Sequence, residues 1–150
     1  MRPAIRPATA GDLPALVALD EVCFGSEAWS TVSWTGEFER RSEDRVILVA
    51  DEGAVVGYVV LLVPPVALDV VELLRIAVTP AERRTGIGGQ LMTAALAKCR
   101  GRTVLLEVAA SNESAVGLYA GFGFEEISRR RGYYAGGEDA VIMRWREDEE

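Results

Sequence analysis

Histidine is absent from this sequence of 150 residues, and cysteine occurs only twice, as Cys23 and Cys99. Without histidine, the chain cannot form a Ser-His-Asp or Cys-His catalytic site, nor a metal site built on histidine. Acid–base chemistry must therefore use Asp, Glu, Tyr, Lys or Cys side chains. The N-terminus has no apolar stretch typical of a secretion signal, so we expect a cytoplasmic protein with two reduced core thiols and no metal.

Long apolar segments and an excess of basic residues are also missing. The most apolar region, residues 54–71, is interrupted by Pro64, Pro65 and Asp69, which argues against a membrane partner. The formal net charge of -7 would repel a nucleic-acid backbone and favours a cationic or amine-bearing partner. A chain that is 49% hydrophobic at this length can bury one core. We expect a single domain over residues 1–150, ending in a solvated acidic tail at about residues 147–150.

Hydrophobic periodicity and turn residues predict the element order β-α-α-β-β-β-α-β-α-β-β. Strands are predicted over residues 4–7, 45–50, 54–63, 70–78, 103–109, 124–131 and 140–145. Helices are predicted from a cap at Thr9 to about Cys23, around Trp34 and Phe38, from Ile87 to near Gly101, and over residues 112–120. This order implies a mixed α/β fold with a mixed sheet and helices on both faces.

A glycine-rich run, Arg83-Arg84-Thr85-Gly86-Ile87-Gly88-Gly89, links a predicted strand to a long amphipathic helix. Free amides at a helix N-terminus, with glycines and arginines around them, suit a pyrophosphate. The run is not a P-loop, because Gly89-Gln90 replaces the required Lys-Ser/Thr, and a dinucleotide fingerprint would need glycine at Leu91. The alternative is that the glycines only allow tight packing of the helix on the strand.

Glu107 and Tyr119 are candidates for acid–base chemistry. Glu107 is a single acid in the apolar strand over residues 103–109, and the C-terminal end of such a strand borders the ligand crevice in a β-α-β unit. Tyr119 lies on the short helix that follows. The alternatives are that Glu107 faces solvent or pairs with an arginine, and that Tyr119 is a core aromatic.

Across nearly the whole chain, the sequence resembles the GNAT acetyltransferases. Arg83, Gly86 and Gly88 stand at the defining positions of that family's Q/R-x-x-G-x-G/A motif for acetyl-CoA. A closer resemblance, to the RimI-type ribosomal-protein-alanine N-acetyltransferases, is carried by residues 23–24, 29–30, 74–78, 106–108, 111–112, 118–124, 132–134 and 138–140. Two positions depart from that pattern, since Ala28 replaces a common proline before Trp29-Ser30 and Arg83 replaces a frequent glutamine.

The resemblance implies the GNAT fold, which has a mostly antiparallel mixed sheet, a splayed pair of parallel strands at residues 70–78 and 103–109, and helices on both faces. Acetyl-CoA would be the co-substrate, with Glu107 as the proton acceptor and Tyr119 as the proton donor. The implied contacts to acetyl-CoA are Ile76, Ala77, Val78, Arg83, Arg84, Thr85, Gly86, Ile87, Gly88, Gly89 and Asn112. The implied walls of the acceptor site are Phe24, Trp29, Tyr133 and Tyr134, of which the last two could instead belong to a packed strand edge.

The function expected from these features is acetylation of a protein N-terminal α-amine, with alanine as the first residue and a ribosomal protein as the acceptor. Direct transfer in a ternary complex is expected, because Cys99 lies on the buried face of its predicted helix. An α-amine, with a pKa of about 8, offers more free base at neutral pH than lysine at about 10.4. The alternatives are a GNAT enzyme that acetylates a small amine or a lysine side chain, and a non-catalytic acyl-CoA-binding module.

Overall fold

A computed structural model describes residues 3–64, 70–83, 85–134 and 136–147. These residues form seven strands and four α-helices in the predicted order. The strands are β1 (Ala4–Pro7), β2 (Arg45–Asp51), β3 (Val55–Leu62), β4 (Val70–Val78), β5 (Thr103–Ala109), β6 (Glu125–Arg130) and β7 (Ala140–Arg146). The helices are α1 (Leu13–Phe24), α2 (Thr31–Glu39), α3 (Ile87–Ala97) and α4 (Glu113–Gly121). None of them is long and apolar enough to cross a membrane.

Polar side chains cap two of the helices, α2 and α4. Thr9 precedes a short 3-10 turn, Ala10–Asp12, so α1 starts later than its predicted cap. Ser30 caps α2 by accepting a hydrogen bond from the Ser33 N–H at 3.1 Å. Asn112 caps α4 in the same way, accepting from the Ala115 N–H at 3.2 Å. Each cap satisfies an amide that has no partner inside its helix, and the cap at Ser30 fixes one end of the α1–α2 connection.

The strands lie in the order β1-β2-β3-β4-β5-β7-β6, and every neighbouring pair is antiparallel except β4 and β5. The parallel pairing of β4 with β5 ends at Glu72 and Leu105. Beyond that point β4 continues to Val78 and β5 to Ala109 without pairing to each other. The predicted fold, with its splayed parallel pair, is therefore confirmed, and we refer to the opening between these two strand ends as the β4–β5 gap.

Two apolar clusters cover the two faces of the sheet unequally. Helices α3 and α4 pack on one face against residues of β2, β3, β4, β5 and β7. Helices α1 and α2 pack on the other face, where the buried partners come from β2, β3 and β4. Among the described residues, this second cluster contains nothing from β5, β6 or β7. The α1–α2 side of those three strands is therefore left open.

The cysteines and the acidic tail differ in detail from what the sequence suggested. Both cysteines are free thiols, but only Cys99 lies in the core, whereas Cys23 is half-buried. Glu147 is not simply solvated, because it accepts hydrogen bonds from the Arg100 guanidinium at 3.2 Å and the Gly101 N–H at 3.0 Å. Strand β7 ends at Arg146 and brings this carboxylate to the turn after α3. Residues 148–150 lie outside the described part of the chain.

Candidate active site

The glycine-rich loop ends at Gly86, the residue that precedes the first turn of α3. Gly86 has a φ of 89°, in the left-handed region that favours glycine. The N–H groups of the first turn of α3 have no partner inside the helix, and the Gln90 N–H bonds back to the Gly86 carbonyl at 3.0 Å. Thr85 and Gly86, which precede this turn, are exposed. The loop thus has the free donors of a helix N-terminus, while the predicted contact Arg84 lies outside the described residues.

Gly88 and Gly89 lie where α3 contacts α4. A Cβ atom at Gly88 would be 3.7 Å from Leu118, and one at Gly89 would be 3.8 Å from Phe122. These are ordinary van der Waals distances, so packing alone does not require glycine at either position. The tight-packing alternative therefore does not account for this pair of glycines.

The glycine that packing does require is Gly57 on β3, which the sequence analysis missed. A Cβ atom there would lie 3.0 Å from the Ala77 carbonyl oxygen and 3.1 Å from Leu91 Cδ1. Gly57 thus allows α3 to approach the sheet closely just behind the glycine-rich loop. The available signal was a glycine inside a run of β-branched residues, which is typical of close approach.

The main-chain groups of β4 divide between β3 and the β4–β5 gap. The Thr79 N–H donates to the Val56 carbonyl at 2.8 Å, and Tyr58 stands opposite Ala77. Hydrogen-bonded pairs alternate along an antiparallel ladder, so the main-chain groups of Ala77 point to β3. Those of Ile76 and Val78 point the other way, into the gap. Of the three predicted contacts on this strand, two therefore direct main-chain groups there that are not paired with β3.

The Val78 carbonyl has side-chain partners that the sequence did not suggest. Arg83 donates to it from Nε at 3.1 Å, and the Cys23 thiol donates at 3.5 Å. The other end of the guanidinium, Nη2, lies 3.6 Å from Cys23 Sγ. Arg83 therefore folds back over the end of β4, and its charge lies beside the gap.

Glu107 lies on the open face of the sheet. Its neighbours Leu106 and Val108 are buried on the α3–α4 side, and alternation along the strand directs Glu107 to the α1–α2 side, where it is exposed. Across β7 it stands opposite Ile142. In the described part of the chain Glu107 makes no ion pair, so the alternative of an arginine-paired carboxylate is not observed.

Carboxylates from three segments act electrostatically on the Tyr134 phenol. Burial raises the pKa of this phenol, and the negative charges of Glu107, Glu138 and Glu27 raise it further. Such effects decay with distance, so all three carboxylates lie within electrostatic range of this phenol. The mouth of the site is therefore negatively charged.

Tyr119 lies on the opposite side of the sheet from Glu107. Its ring is buried in the α3–α4 cluster, with its centroid 5.9 Å from that of Phe124. Burial raises the pKa of the phenol to about 12, so the hydroxyl stays protonated at neutral pH. The ring therefore has the position expected from the alternative in which Tyr119 is a core aromatic.

The four predicted wall residues belong to two segments. Tyr133 and Tyr134 follow β6 in a loop closed by the hydrogen bonds from the Tyr134 N–H to the Glu138 carbonyl and from the Gly137 N–H to the Tyr134 carbonyl, both 3.0 Å. They are therefore not part of a strand edge. Phe24 and Trp29 lie in residues 24–30, which we name the α1–α2 loop, and both rings stack on Arg75. Sequence reasoning did not identify Arg75, because its role depends on contacts between distant segments.

Comparisons with known proteins agree with this geometry. The sequence model of the Acetyltransferase (GNAT) family matches residues 13–124. The chain is 33% identical to the [ribosomal protein bS18]-alanine N-acetyltransferase of Salmonella typhimurium strain LT2, over 88% of this chain and 89% of that protein. It is 28% identical to a putative enzyme of the same name from Bacillus subtilis strain 168, over 93% of each chain.

A solved structure shows the same arrangement. The crystal structure of the ribosomal-protein-S18-alanine N-acetyltransferase from Escherichia coli superimposes with a TM-score of 0.84 and 30% sequence identity. That match covers 98% of this chain and 96% of the other. The family match spans well over half of the chain. The glycine-rich loop, the splayed strands and the order of elements all agree with that family. The chain therefore belongs to the acetyltransferase (GNAT) family, whose enzymes use acetyl-CoA.

Proposed function

We propose that this enzyme transfers the acetyl group of acetyl-CoA to the α-amine of a protein N-terminus, with alanine as the first residue and a ribosomal protein as the acceptor. The observation that carries the proposal is the Glu107 carboxylate, which forms no ion pair with a described residue and lies on the open face beside the β4–β5 gap. The names of the relatives, which are bS18-alanine N-acetyltransferases, support the choice of acceptor.

We call the part of the site that is proposed to bind acetyl-CoA the donor side, and the part that is proposed to bind the amine the acceptor side. The donor side fits acetyl-CoA in two respects. The free amides at the start of α3 suit its pyrophosphate, because the helix dipole adds positive potential to hydrogen-bond donors. The main-chain groups of Ile76 and Val78 suit the amides of its pantetheine arm, since they are not used in pairing with β3. Asn112 already caps α4, so its proposed contact with acetyl-CoA would have to share that side chain.

The proposed reaction moves one acyl group and one proton. The free amine attacks the thioester carbon, a C–N bond forms, and the C–S bond breaks with release of the coenzyme A thiolate. Glu107 takes the proton of the amine, directly or through a water molecule. The pKa of Tyr119, at about 12, is well above that of a thiol, at about 8.5. Tyr119 therefore stabilises the thiolate by donating a hydrogen bond to it more readily than by transferring its proton.

Direct transfer in a ternary complex is supported by the state of Cys99. Its thiol donates to the Ala95 carbonyl at 3.3 Å, and burial raises its pKa to about 11. A protonated, buried thiol is a poor nucleophile. An acetyl-cysteine intermediate at Cys99 is therefore not part of the proposal.

The negative charge at the mouth of the site favours a cationic acceptor. Glu27, Glu107 and Glu138 all act on the Tyr134 phenol, so a peptide that approaches this loop meets several carboxylates. A protonated α-amine, and basic residues behind it, would be attracted there. With a pKa of about 8, an α-amine then loses its proton to one carboxylate more easily than a lysine at about 10.4.

Mass spectrometry of peptides incubated with enzyme and acetyl-CoA tests the proposal. One peptide offers a free N-terminal Ala, a second has a blocked N-terminus and an internal Lys, and a third has a large first residue. We expect acetylation of the Ala α-amine. Product confined to the internal lysine would replace the proposal by lysine acetylation, and coenzyme A binding without product from any amine would indicate a binding module.

A further inference from the structure

A buried ion pair below the α1–α2 loop has no part in the chemistry described above. The Asp20 side chain, on α1, is 0% exposed. It accepts hydrogen bonds from Arg75 Nε at 2.9 Å, from Arg75 Nη2 at 3.2 Å and from the Tyr58 hydroxyl. It also accepts from the Trp29 N–H at 2.7 Å. A buried carboxylate bound by four donors has a fixed position, because losing any of them leaves charge uncompensated.

Arg75 fastens the α1–α2 loop at several points with one guanidinium. Besides binding Asp20, its Nη2 donates to the Glu27 carbonyl at 2.9 Å. The guanidinium lies 3.8 Å from the centre of the Phe24 ring and 4.8 Å from that of Trp29. These contacts reach the start, the middle and the end of the loop. The position of the loop therefore depends on a planar group that both stacks and donates in fixed directions.

The location of Arg75 connects this loop to the donor side. Arg75 lies on β4 beyond Glu72, where β4 has separated from β5, and it is adjacent to Ile76. The loop that it holds also carries Glu27, whose charge contributes to raising the pKa of Tyr134. The edge of β4 that faces the β4–β5 gap and the loop that is proposed to line the acceptor site are thus both held by Arg75.

We propose that Arg75, held by Asp20, is a positioning residue that sets the distance between the α1–α2 loop and the donor strand, and so restricts the acceptor to a small first side chain. The inference rests on the proposed function. A lysine at this position could still pair with Asp20 as a point charge, but it could not also stack on Phe24 and hold the Glu27 carbonyl. The loop would then move away from β4 and admit larger residues.

The variant Arg75→Lys tests this inference with peptides that differ only in the first residue, Ala or Leu. We expect the ratio of kcat/KM for Ala over Leu to fall by about tenfold or more, mainly through a higher KM for the Ala peptide. The KM for acetyl-CoA should stay within about twofold of the parent value, because the main-chain amides at the start of α3 are unchanged. Hydrogen exchange should accelerate at the Trp29 amide, which Asp20 binds.

A matched control is Arg45→Lys. The Arg45 side chain is 15% exposed, like that of Arg75 at 14%, and it binds Glu37 at 2.6 Å and Asp44 at 2.9 Å. It lies at the start of β2, which pairs with β1 and β3 rather than with β4. The same chemical change there should lower stability without altering the Ala-to-Leu ratio. If Arg75→Lys does not fold, the neutral double variant Asp20→Asn with Arg75→Gln removes both buried charges, and the same loss of selectivity is expected.

The outcomes separate this inference from the proposed function. Parent enzyme that acetylates no peptide would overturn the proposed function, and this inference with it. Parent enzyme that prefers Ala, together with a folded Arg75 variant of unchanged preference, would overturn the inference alone. An equal loss of selectivity in Arg45→Lys would also overturn it, because the effect would then come from general destabilisation.

Discussion

The proposed donor side and the proposed acceptor side of this site differ in the kind of group that they offer a ligand. Apart from Asn112, the described residues of the proposed donor side lie close together in the chain, at 76–83 and 85–89, and what they offer a ligand is mainly main-chain N–H and C=O groups. The proposed acceptor side combines side chains of Phe24 and Trp29, of Glu107 on β5, and of Tyr133 and Tyr134. A main-chain site depends on backbone conformation and a side-chain site on chemical identity, so the two sides should respond differently to substitution.

The largest effect is expected from Glu107→Gln on the acceptor side. The amide keeps the shape of the carboxylate but cannot take a proton, so kcat should fall on the order of 10² or more. Coenzyme A affinity should not change, because the donor side is untouched. Steady-state kinetics and calorimetry measure the two quantities. Glu125→Gln, an exposed carboxylate on β6, is the control and should behave as the parent. An unchanged kcat would return Glu107 to the role of a solvent-facing carboxylate.

A smaller effect with the opposite pattern is expected from Gly86→Val. A β-branched residue is strained at a φ of 89°, so the loop should change its path and the Kd for coenzyme A should rise by roughly tenfold or more. Gly53→Val is the matched control, since Gly53 has a φ of 96° in the β2–β3 turn and nothing lies within 4 Å of a Cβ placed there either. Calorimetry should show weakened binding only for Gly86→Val. Equal affinities in the two variants would remove the loop from the donor site.

The smallest effect concerns the packing that supports the donor side. In Gly57→Ala the new Cβ would lie 3.0 Å from the Ala77 carbonyl oxygen, so stability should fall by about 1–3 kcal/mol. Gly117→Ala, in α4, has nothing within 4 Å and should raise stability by up to about 1 kcal/mol. Urea unfolding measures both. A stabilised Gly57→Ala variant would contradict the idea that close approach of α3 requires this glycine.

The sequence by itself determined the secondary-structure elements and the position of the glycine-rich loop. Strands β4 and β5 have the predicted bounds because β-branched runs stop at Thr79-Pro80 and at the turn after residue 109. The glycine-rich loop and helix α3 were predictable because their signals are local. These signals are a glycine at the position of positive φ, Gly86, and an apolar period that starts at Ile87. Glu107 was proposed for a similar reason, as the single acid in the apolar strand β5, and its role stays a prediction.

Only the tertiary structure decided how the acceptor side is assembled. Asp20, Tyr58 and Arg75 are far apart in the chain, and nothing in their local sequence predicts that they meet. The separation of β4 from β5 after Glu72 also depends on how β3 and β7 hold the two strands from either side. Local signals come from backbone preference and periodicity, whereas an ion pair between distant segments exists only once the core has brought them together.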